Sequence, residues 1–338
     1  EDKRVRGAFV FNGGAATGRA SSYGAQVHNF TRKCVKDPQA TRDAMVRGHS
    51  VVPKFGVRVT DVLKGMLRPS LIPAPGNVLI VADWAGIEAR CNPWLSGDAE
   101  DVLQVFRDGS DIYVREAQGI FRVIQVSPEQ RQVGKVAILA CGYGGGVGAF
   151  AAMSKAYGVS LTESEAKRTV DAWRRANQWA VTYWQQLEIA YMKAMRHKGH
   201  EFAAGRVTYM FDGIHLWYIL PSGRVLCYPF ARLETDGITY LKAAWKPTAD
   251  AKEWPRARLW KGLACENITQ AVANDLLRHS LRQIDATLHI HDEIVVECAE
   301  KNATAVAAQL EHIMCTPPAW ASGLPLSVEV QIMKRYGK

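Results

Sequence analysis

The sequence predicts an α/β protein, because short buried strands alternate with long helical stretches along its 338 residues. The two most apolar strands are expected at 76–84 and 287–297. Helical spacing of apolar residues predicts helices in the stretches 98–125, 128–143 and 162–198 between them. With 48% hydrophobic residues, the chain can bury the core of one large domain or two modest ones.

Composition limits the class of protein and its surroundings. A formal net charge of +9 at pH 7 favours an anionic partner such as nucleic acid. Seven scattered cysteines without a CxxC pair argue against a disulfide scaffold or a thiolate zinc site, and they fit a reducing cytosol. Neither a long apolar run nor a basic-then-apolar leader occurs, so a cytoplasmic protein without a membrane span or secretion signal is expected.

The first part of the chain, 1–50, is rich in Gly, Ser, Arg and Lys, and it is interpreted as strands and loops with exposed basic groups. A turn and a short buried strand follow at 76–84, and this strand ends at Asp83. An acid at a strand end is ordinary, so Asp83 alone does not indicate a site.

The helix expected at 128–143 has clear end signals. Ser127 fits the N-cap, Pro128 the first turn and Gln130 the third position of a capping box. A glycine cluster should end the helix near Tyr143. Those glycines partly match a dinucleotide-binding fingerprint, but that fingerprint opens a helix and these close one.

One face of the same helix carries two cations, a leucine and a tyrosine, spaced four residues apart: Arg131, Lys135, Leu139 and Tyr143. Two cations followed by an aromatic ring suit a triphosphate lying beside a base or sugar. A solvated helix edge that ends in a buried tyrosine explains the pattern equally well at this point.

The remaining elements follow in order. The helical stretch 162–198 opens with Thr162 and Glu165 as a second capping box. Its aromatic face is expected to lie in the core, through Trp173, Trp179, Tyr183, Trp184, Leu187 and Tyr191. A turn and strand at 220–228, and helices at 267–284 and 301–314, complete the assignment.

The stretch "LHIHDEIVVE" places acids and histidines inside an apolar strand at 287–297. Strand alternation puts Asp292 on the apolar face, and it puts His291 and Glu293 on the other face. An unpaired buried carboxylate costs several kcal/mol, so Asp292 needs a cation. A zinc site, a structural ion pair and a catalytic metal carboxylate all compete, although zinc lacks further ligands beside His289 and His291. Asp292 and Asp83, at the ends of two buried strands, would suit a pair of Mg²⁺ ions in phosphoryl transfer.

Several motifs together resemble the A-family DNA polymerases (the DNA polymerase I family), especially the phage and mobile-element branch. "ADWAGIEAR" resembles that family's motif A, "RQVGKVAILACGYG" its motif B, and "HDEIVVE" its motif C. Supporting stretches occur in the same order, namely "TGRASS", "LPSGR" and "ENITQAVANDLL". The resemblance runs from about residue 8 to the C-terminus.

The resemblance implies a right-hand polymerase palm with an antiparallel sheet and an inserted helical fingers domain. The palm would comprise 1–110 and 201–338, and the fingers 111–200. The family's thumb and exonuclease domains would lie outside this chain. The implied partners are primer-template DNA and dNTPs, and a separate thumb, exonuclease or processivity subunit is a further candidate.

The resemblance also implies roles for individual residues. Two Mg²⁺ ions would be held by Asp83, Asp292 and the backbone carbonyl of Trp84, with Glu293 as a supporting acid. Glu88 and Tyr143 would form a steric gate against a ribose 2′-OH. The incoming dNTP would further meet Arg131, Lys135, Tyr113 and Leu139, the last of which stands where the family usually has Phe or Tyr. Contacts with primer and template are implied for Arg19, Gln26, Asn29, Arg224, Gln270 and His291.

The function expected from these residues is template-directed DNA synthesis by two-metal phosphoryl transfer from dNTPs to a primer 3′-hydroxyl. A single-subunit RNA polymerase is one alternative, and the carboxylate of Glu88 argues against it because it would reject a 2′-OH. A non-catalytic primer-template binding module is the other. The acid pair argues against it, since a binder gains nothing from carboxylates that face DNA phosphates.

Overall fold

The computed structural model describes residues 4–51, 58–242 and 254–337. Its helices are α1 (Pro38–Val46), α2 (Val59–Gly65), α3 (Ile87–Ser96), α4 (Glu100–Arg107), α5 (Ile112–Phe121), α6 (Pro128–Cys141), α7 (Val147–Ala156), α8 (Glu163–Ala176), α9 (Gln178–Arg196), α10 (Lys261–Leu281) and α11 (Ala303–Cys315). Its strands are β1 (Phe9–Val10), β2 (Ser21–Ser22), β3 (Asn77–Trp84), β4 (Glu201–Ala204), β5 (Val207–Phe211), β6 (Leu216–Ile219), β7 (Val225–Tyr228), β8 (Arg232–Glu234), β9 (Gly237–Leu241), β10 (Arg256–Leu259), β11 (Leu288–Ile290), β12 (Glu293–Ala299) and β13 (Val328–Met333). Across these ranges, no helix combines the length and the apolar character that crossing a membrane requires.

The central sheet has four strands in the order β11-β12-β3-β13, and all its pairs are antiparallel. This confirms the α/β fold with an antiparallel sheet. Ile80 and Ala82 of β3 face a large core shared with α3, α10 and α11, whereas Leu79 and Val81 face a smaller core on the other side. Because both faces of β3 are covered, its sequence is a continuous apolar run rather than an alternating one.

The smaller sheets flank the helices. Strands β4 to β7 form a four-stranded antiparallel meander, which includes the strand expected at 220–228, and β8 to β10 form a three-stranded sheet. Helix α9 packs against β4 and β5, and α10 packs against both α9 and α3. These contacts join the helical stretch at 112–196 to the sheets that follow it in sequence.

Both predicted capping boxes are confirmed. The Ser127 hydroxyl accepts from the amide of Gln130 at 3.2 Å, and the Gln130 side chain accepts from the amide of Ser127 at 3.0 Å. Thr162 and Glu165 form the same reciprocal pair at the start of α8. Local sequence alone therefore fixes where these two helices begin.

The stretch 162–198 is two helices rather than the single one expected. Asn177 interrupts it with φ −121° and ψ 55°, and its side-chain amide donates to Glu116 at 2.6 Å and to the carbonyl of Trp173 at 3.2 Å. Asparagine side chains compete with helical hydrogen bonds in this way. The aromatic face is nevertheless buried as predicted, with Trp179 only partly covered.

The interpretation of 1–50 as strands and loops is wrong for one segment, because Pro38–Val46 is helix α1. The Asp37 carboxylate caps it by accepting from the amide of Ala40 at 2.9 Å. An acid at the N-cap followed by proline at the first helical position is a helix start signal that the sequence already contained.

The prediction of one continuous strand at 287–297 is also wrong. The segment is a hairpin in which β11 and β12 are joined by His291 and Asp292, with Ile290 opposite Glu293. His291 has a φ of 56°, in the left-handed region that non-glycine residues seldom adopt. The alternation of side chains along a strand therefore does not apply to Asp292, because this residue lies in the turn and not on the apolar face of a strand.

Close packing of α6 on α5 requires a glycine at position 134. A Cβ there would lie 2.3 Å from the carbonyl oxygen of Tyr113 and 3.1 Å from the amide of Ala117, both backbone atoms. We expect Gly134→Ala to lower the free energy of unfolding by about 1–3 kcal/mol, because the helices must separate. Urea unfolding followed by circular dichroism measures the change.

Gly148 provides the matched control, because a Cβ at this position in α7 meets no atom within 4 Å. Gly148→Ala should be neutral or stabilising by up to about 1 kcal/mol, since alanine loses less entropy than glycine in a helix. Equal destabilisation by the two substitutions would contradict the packing argument.

Candidate active site

The edge of the central sheet brings together acids that lie far apart in sequence. Glu293 pairs directly opposite Asp83 across β12 and β3, so the two residues share a face of the sheet. The amide of Trp84 donates to the carbonyl of Asp292 at 3.3 Å, which ties the end of β3 to the hairpin turn. The structure thus places Asp83, Asp292 and Glu293 at one site, although the sequence argument had assigned the last two to opposite faces.

Asp292 is held in an environment that disfavours its charge. Burial and the nearby charge of Asp83 together raise the pKa of Asp292 to about 6. The guanidinium of Arg32, 3.7 Å from the carboxylate, opposes this rise only in part. The charge of Asp83 adds to the effect of burial, and a cation held by both carboxylates would relieve this repulsion.

Glu293 is anchored by a buried network that the sequence did not predict. The hydroxyl of Tyr336 donates to the Glu293 carboxylate, and Arg68 donates to the same hydroxyl at 3.0 Å. Tyr336 is 1% exposed, and both Arg68 and Glu293 are 6% exposed. Because Tyr336 lies near the C-terminus and Arg68 before β3, no spacing in the sequence linked either residue to the acid.

The acids suit a hard cation whose coordination shell is completed by oxygen atoms of the substrate and water. Within the described ranges, no three His, Cys, Asp or Glu side chains are arranged as a metal-binding group. Mg²⁺ is commonly bound by one or two carboxylates together with substrate phosphates and water. Asp83 and Asp292 supply such a pair of oxygen ligands, so the residues present fit Mg²⁺ as an incomplete site. The position of the Trp84 carbonyl as a third ligand stays a prediction.

The predicted gate residues are in contact. The Tyr143 hydroxyl donates to Oε2 of Glu88 at 2.8 Å, and Nη2 of Arg19 donates to Oε1 at 2.8 Å. Burial and the adjacent Glu88 hold the pKa of Tyr143 well above its usual value, so its hydroxyl remains a donor. A cavity of about 40 Å³ is lined in part by Glu88, Leu139 and Tyr143.

The cations of α6 gather around one aromatic ring. The guanidinium carbon of Arg131 is 5.2 Å from the ring centroid of Tyr113, and Nζ of Lys135 is 5.7 Å from the same centroid. Arg131 also pairs with Asp111 at 2.6 Å, and Lys135 lies 5.7 Å from the ring of Tyr157. Three of the residues predicted to meet a dNTP, Arg131, Lys135 and Tyr113, are therefore neighbours. Asp111 and Tyr157 join them without having been predicted.

The predicted primer and template residues differ in how far they are already engaged. Arg224 is held within the protein, since it pairs with Asp275 and donates to the carbonyls of Thr17 and Ala271 at 3.1 and 2.8 Å. It thereby fastens the "TGRASS" stretch to α10. These bonds give Arg224 a structural role within the protein, whereas its contact with DNA stays a prediction.

The other residues predicted to contact DNA form fewer bonds within the protein than Arg224 does. Gln26 and Asn29 are hydrogen-bonded to each other at 3.0 Å on an exposed turn. Gln270 donates to Glu266 one helical turn earlier, at 3.2 Å. The ring of His291 lies 5.7 Å from that of His28, and burial lowers its pKa, so it is neutral near pH 7. His291 lies in the hairpin turn and Arg19 contacts the gate, and the contacts of all these residues with DNA stay predictions.

An antiparallel sheet with acids at adjacent strand ends, in a chain that also has a helix carrying Arg131 and Lys135, is consistent with a right-hand nucleic-acid polymerase. Comparison with known proteins specifies the family. The family model for DNA polymerase family A matches residues 1–212. The chain belongs to DNA polymerase family A.

Individual relatives agree with this assignment. A DNA polymerase of Bacillus phage SP02 is 34% identical over 100% of this chain and 53% of its own length. A thermostable DNA polymerase I of Thermus thermophilus is 25% identical over 90% of this chain and 33% of its own length. The polymerase domain of Pol1 from M. smegmatis, solved with primer-template DNA and dNTP, superposes with a TM-score of 0.61 at 18% identity, over 95% of this chain and 46% of that one. The chain thus spans about half the length of the phage relative.

The raised pKa of Asp292 predicts the effect of removing its charge on stability. The charged form is disfavoured in the folded state, so its cost is fully present above pH 6 and disappears as pH falls below the ordinary value of 3.8. We expect Asp292→Asn to raise the free energy of unfolding at pH 7.5 by roughly 1–2 kcal/mol, allowing for partial solvent screening. The gain should shrink towards zero at pH 4.

Chemical denaturation at pH 7.5 and pH 4 with EDTA present measures this gain. Asp285→Asn is the control, because this exposed carboxylate lies in the loop between α10 and β11, and the substitution should leave stability nearly unchanged at both values of pH. A loss of stability in Asp292→Asn at pH 7.5 would contradict the electrostatic account.

Proposed function

We propose that this chain carries out template-directed DNA synthesis, in which the 3′-hydroxyl of a primer attacks the α-phosphate of a dNTP and pyrophosphate leaves. The observation that supports this most directly is the pairing of β12 with β3, which sets Asp83 beside the hairpin turn of Asp292. Membership of DNA polymerase family A supports the same reaction.

Asp83 and Asp292 would act by holding cations. Two Mg²⁺ ions, when bound, would supply the positive charge that stabilises the attacking and leaving oxygens of the transfer. The protein's own part is to fix the two carboxylates on a rigid sheet edge, so that little reorganisation is needed when substrate arrives. Glu293, held by Tyr336, would keep negative charge next to Asp83 and orient the hairpin.

Arg131 and Lys135 would grip the triphosphate of the incoming dNTP. Both cations already lie against the ring of Tyr113 on one face of α6. Arg131 would exchange its carboxylate partner Asp111 for phosphate oxygens, which match the guanidinium fork equally well. Leu139, further along the same helix, and Tyr143, just beyond its end, would then lie beside the base and the sugar.

The proposed division of the chain into domains is the one that the family resemblance implies. We propose that 1–110 and 201–338 form the palm and that 111–200 form the fingers. Helix α9 packs on β4 and β5, so it would connect the fingers to the palm. A thumb and an exonuclease or processivity factor would come from elsewhere in a longer protein or from a separate chain.

Sugar selection separates this proposal from an RNA polymerase. The Glu88 carboxylate is positioned by two hydrogen bonds, so its bulk would occupy the space that a ribose 2′-OH needs. A single-nucleotide extension assay with dNTPs and with rNTPs decides the question. Preference for rNTPs would favour the RNA polymerase alternative.

Removal of either metal-holding acid should abolish primer extension. Asp83→Ala and Asp292→Ala each leave one carboxylate for two cations, so the transfer loses its charge stabilisation. Extension of a labelled primer on a template with Mg²⁺ and dNTPs measures the loss. Binding of the same primer-template, measured by fluorescence anisotropy, should be largely retained or strengthened because a negative charge is gone.

Asp171→Ala provides the control, since this exposed carboxylate pairs with Lys167 on α8, away from the sheet edge. Wild-type extension by Asp83→Ala or Asp292→Ala would refute the assignment. Primer-template binding by the wild-type chain without any extension would favour the non-catalytic binding module.

Loss of Lys135 should weaken use of the dNTP. We expect Lys135→Ala to lower kcat/KM for dNTP roughly ten- to a hundredfold, because a hydrogen bond to a charged group contributes about 1.5–3 kcal/mol. Steady-state kinetics of single-nucleotide insertion gives the ratio. Lys167→Ala, which removes an exposed lysine paired with Asp171, should stay within about twofold of wild type. Unchanged kinetics in Lys135→Ala would exclude the helix from the dNTP site.

A further inference from the structure

The guanidinium of Arg19 links the gate to the part of the chain expected to meet the primer. Arg19 belongs to the "TGRASS" stretch, which β2 and the carbonyl contacts of Arg224 and Asn274 hold in place. Its Nη2 donates to Oε1 of Glu88 at 2.8 Å, and the two side chains are only 26% and 29% exposed. The ion pair therefore lies inside the site and not on an open surface.

Glu88 is held from two sides. Oε1 accepts from Arg19, whereas Oε2 accepts from the Tyr143 hydroxyl. Tyr143 lies in the turn directly after α6, so one carboxylate oxygen is bound to the segment that follows this helix and the other to the N-terminal segment. A carboxylate with both oxygens bound has a fixed plane, which is the property a steric gate needs.

Arg19 also balances other charge at this point. Glu266 of α10 lies near Glu88. Burial, and to a smaller extent repulsion by Glu88, raise the pKa of Glu266, and the positive charge of Arg19 opposes this rise. The same arginine lowers the pKa of Asp292 and of His291 in the hairpin turn. One cation thus lies within electrostatic reach of the gate, of α10 and of the proposed metal-holding turn.

We propose that Arg19 is a positioning residue for sugar selection, which holds Glu88 in the gate while its remaining donors engage the primer end. The proposal rests on the DNA polymerase function proposed above. A guanidinium has five N–H donors in a planar fork, so one side chain can bridge Glu88 and an acceptor on the primer. Sugar selection would then be strongest when a primer end is seated against Arg19.

The test compares insertion of a dNTP and of the matching rNTP by wild type, Arg19→Gln and Arg19→Lys. We expect Arg19→Gln to lower the dNTP-to-rNTP ratio of kcat/KM by about tenfold or more, because a charge-assisted hydrogen bond to Glu88 is lost. Arg19→Lys keeps the charge but not the fork, and its ratio should fall between the other two. Thermal unfolding confirms that each variant is folded.

A double-mutant cycle distinguishes positioning from general damage. In Glu88→Ala the gate side chain and the acceptor of Arg19 are both removed, so adding Arg19→Gln should change the sugar ratio no further, although it can still lower the overall rate. Arg32→Gln is the matched control, because this neighbouring arginine pairs with Asp292 at 3.7 Å and not with Glu88. It should alter the rate while leaving the ratio at its wild-type value.

Two results would overturn the inference. The first is an unchanged sugar ratio in Arg19→Gln when Glu88→Ala lowers it. The second is an additive effect of the two substitutions on the ratio, which would mean that Arg19 acts independently of the gate. A folded wild-type chain that extends no primer would instead overturn the proposed polymerase function, and this inference with it.

Discussion

The antiparallel pairing of β3 with β12 is the constraint on which the site depends. The register that sets Val81 opposite Val295 also sets Asp83 opposite Glu293, and a shift of one residue would turn every one of these side chains to the other face. Apolar cores on both faces hold that register, so the hydrophobic packing of the sheet also fixes the geometry of its acids. The hairpin turn after β11 then brings Asp292 to the same edge.

This arrangement is costly to the folded state, and neighbouring groups offset part of the cost. Asp292 carries a raised pKa, His291 adopts a positive φ and Glu293 is almost fully buried. Arg32 and the pair formed by Arg68 and Tyr336 supply compensating charge and hydrogen bonds. Strain and buried charge concentrated at one place are typical of functional sites, where stability is exchanged for a prepared geometry.

Sequence reasoning was accurate where the signal is local. The capping boxes at Ser127 and Thr162 and the buried strand ending at Asp83 depend on neighbouring residues only, and all three are confirmed. The hairpin was missed because His-Asp is an unusual two-residue turn and both flanking strands are apolar, so the segment looked like one alternating strand. The network of Arg68 and Tyr336 and the contact of Arg19 with Glu88 arise from tertiary packing, for which no spacing in a single sequence gives a signal.

The central claim is that the edge of this sheet holds cations for nucleotidyl transfer. A crystal structure of the chain with primer-template DNA, a dNTP and Mn²⁺ in place of Mg²⁺ tests it directly, because anomalous scattering locates the metal independently of any model of the site. The account predicts anomalous peaks within coordination distance of the carboxylates of Asp83 and Asp292, with the dNTP phosphates between them and the cations of α6. Metal peaks bound elsewhere, with Asp292 still paired to Arg32 in the presence of substrate, would contradict it.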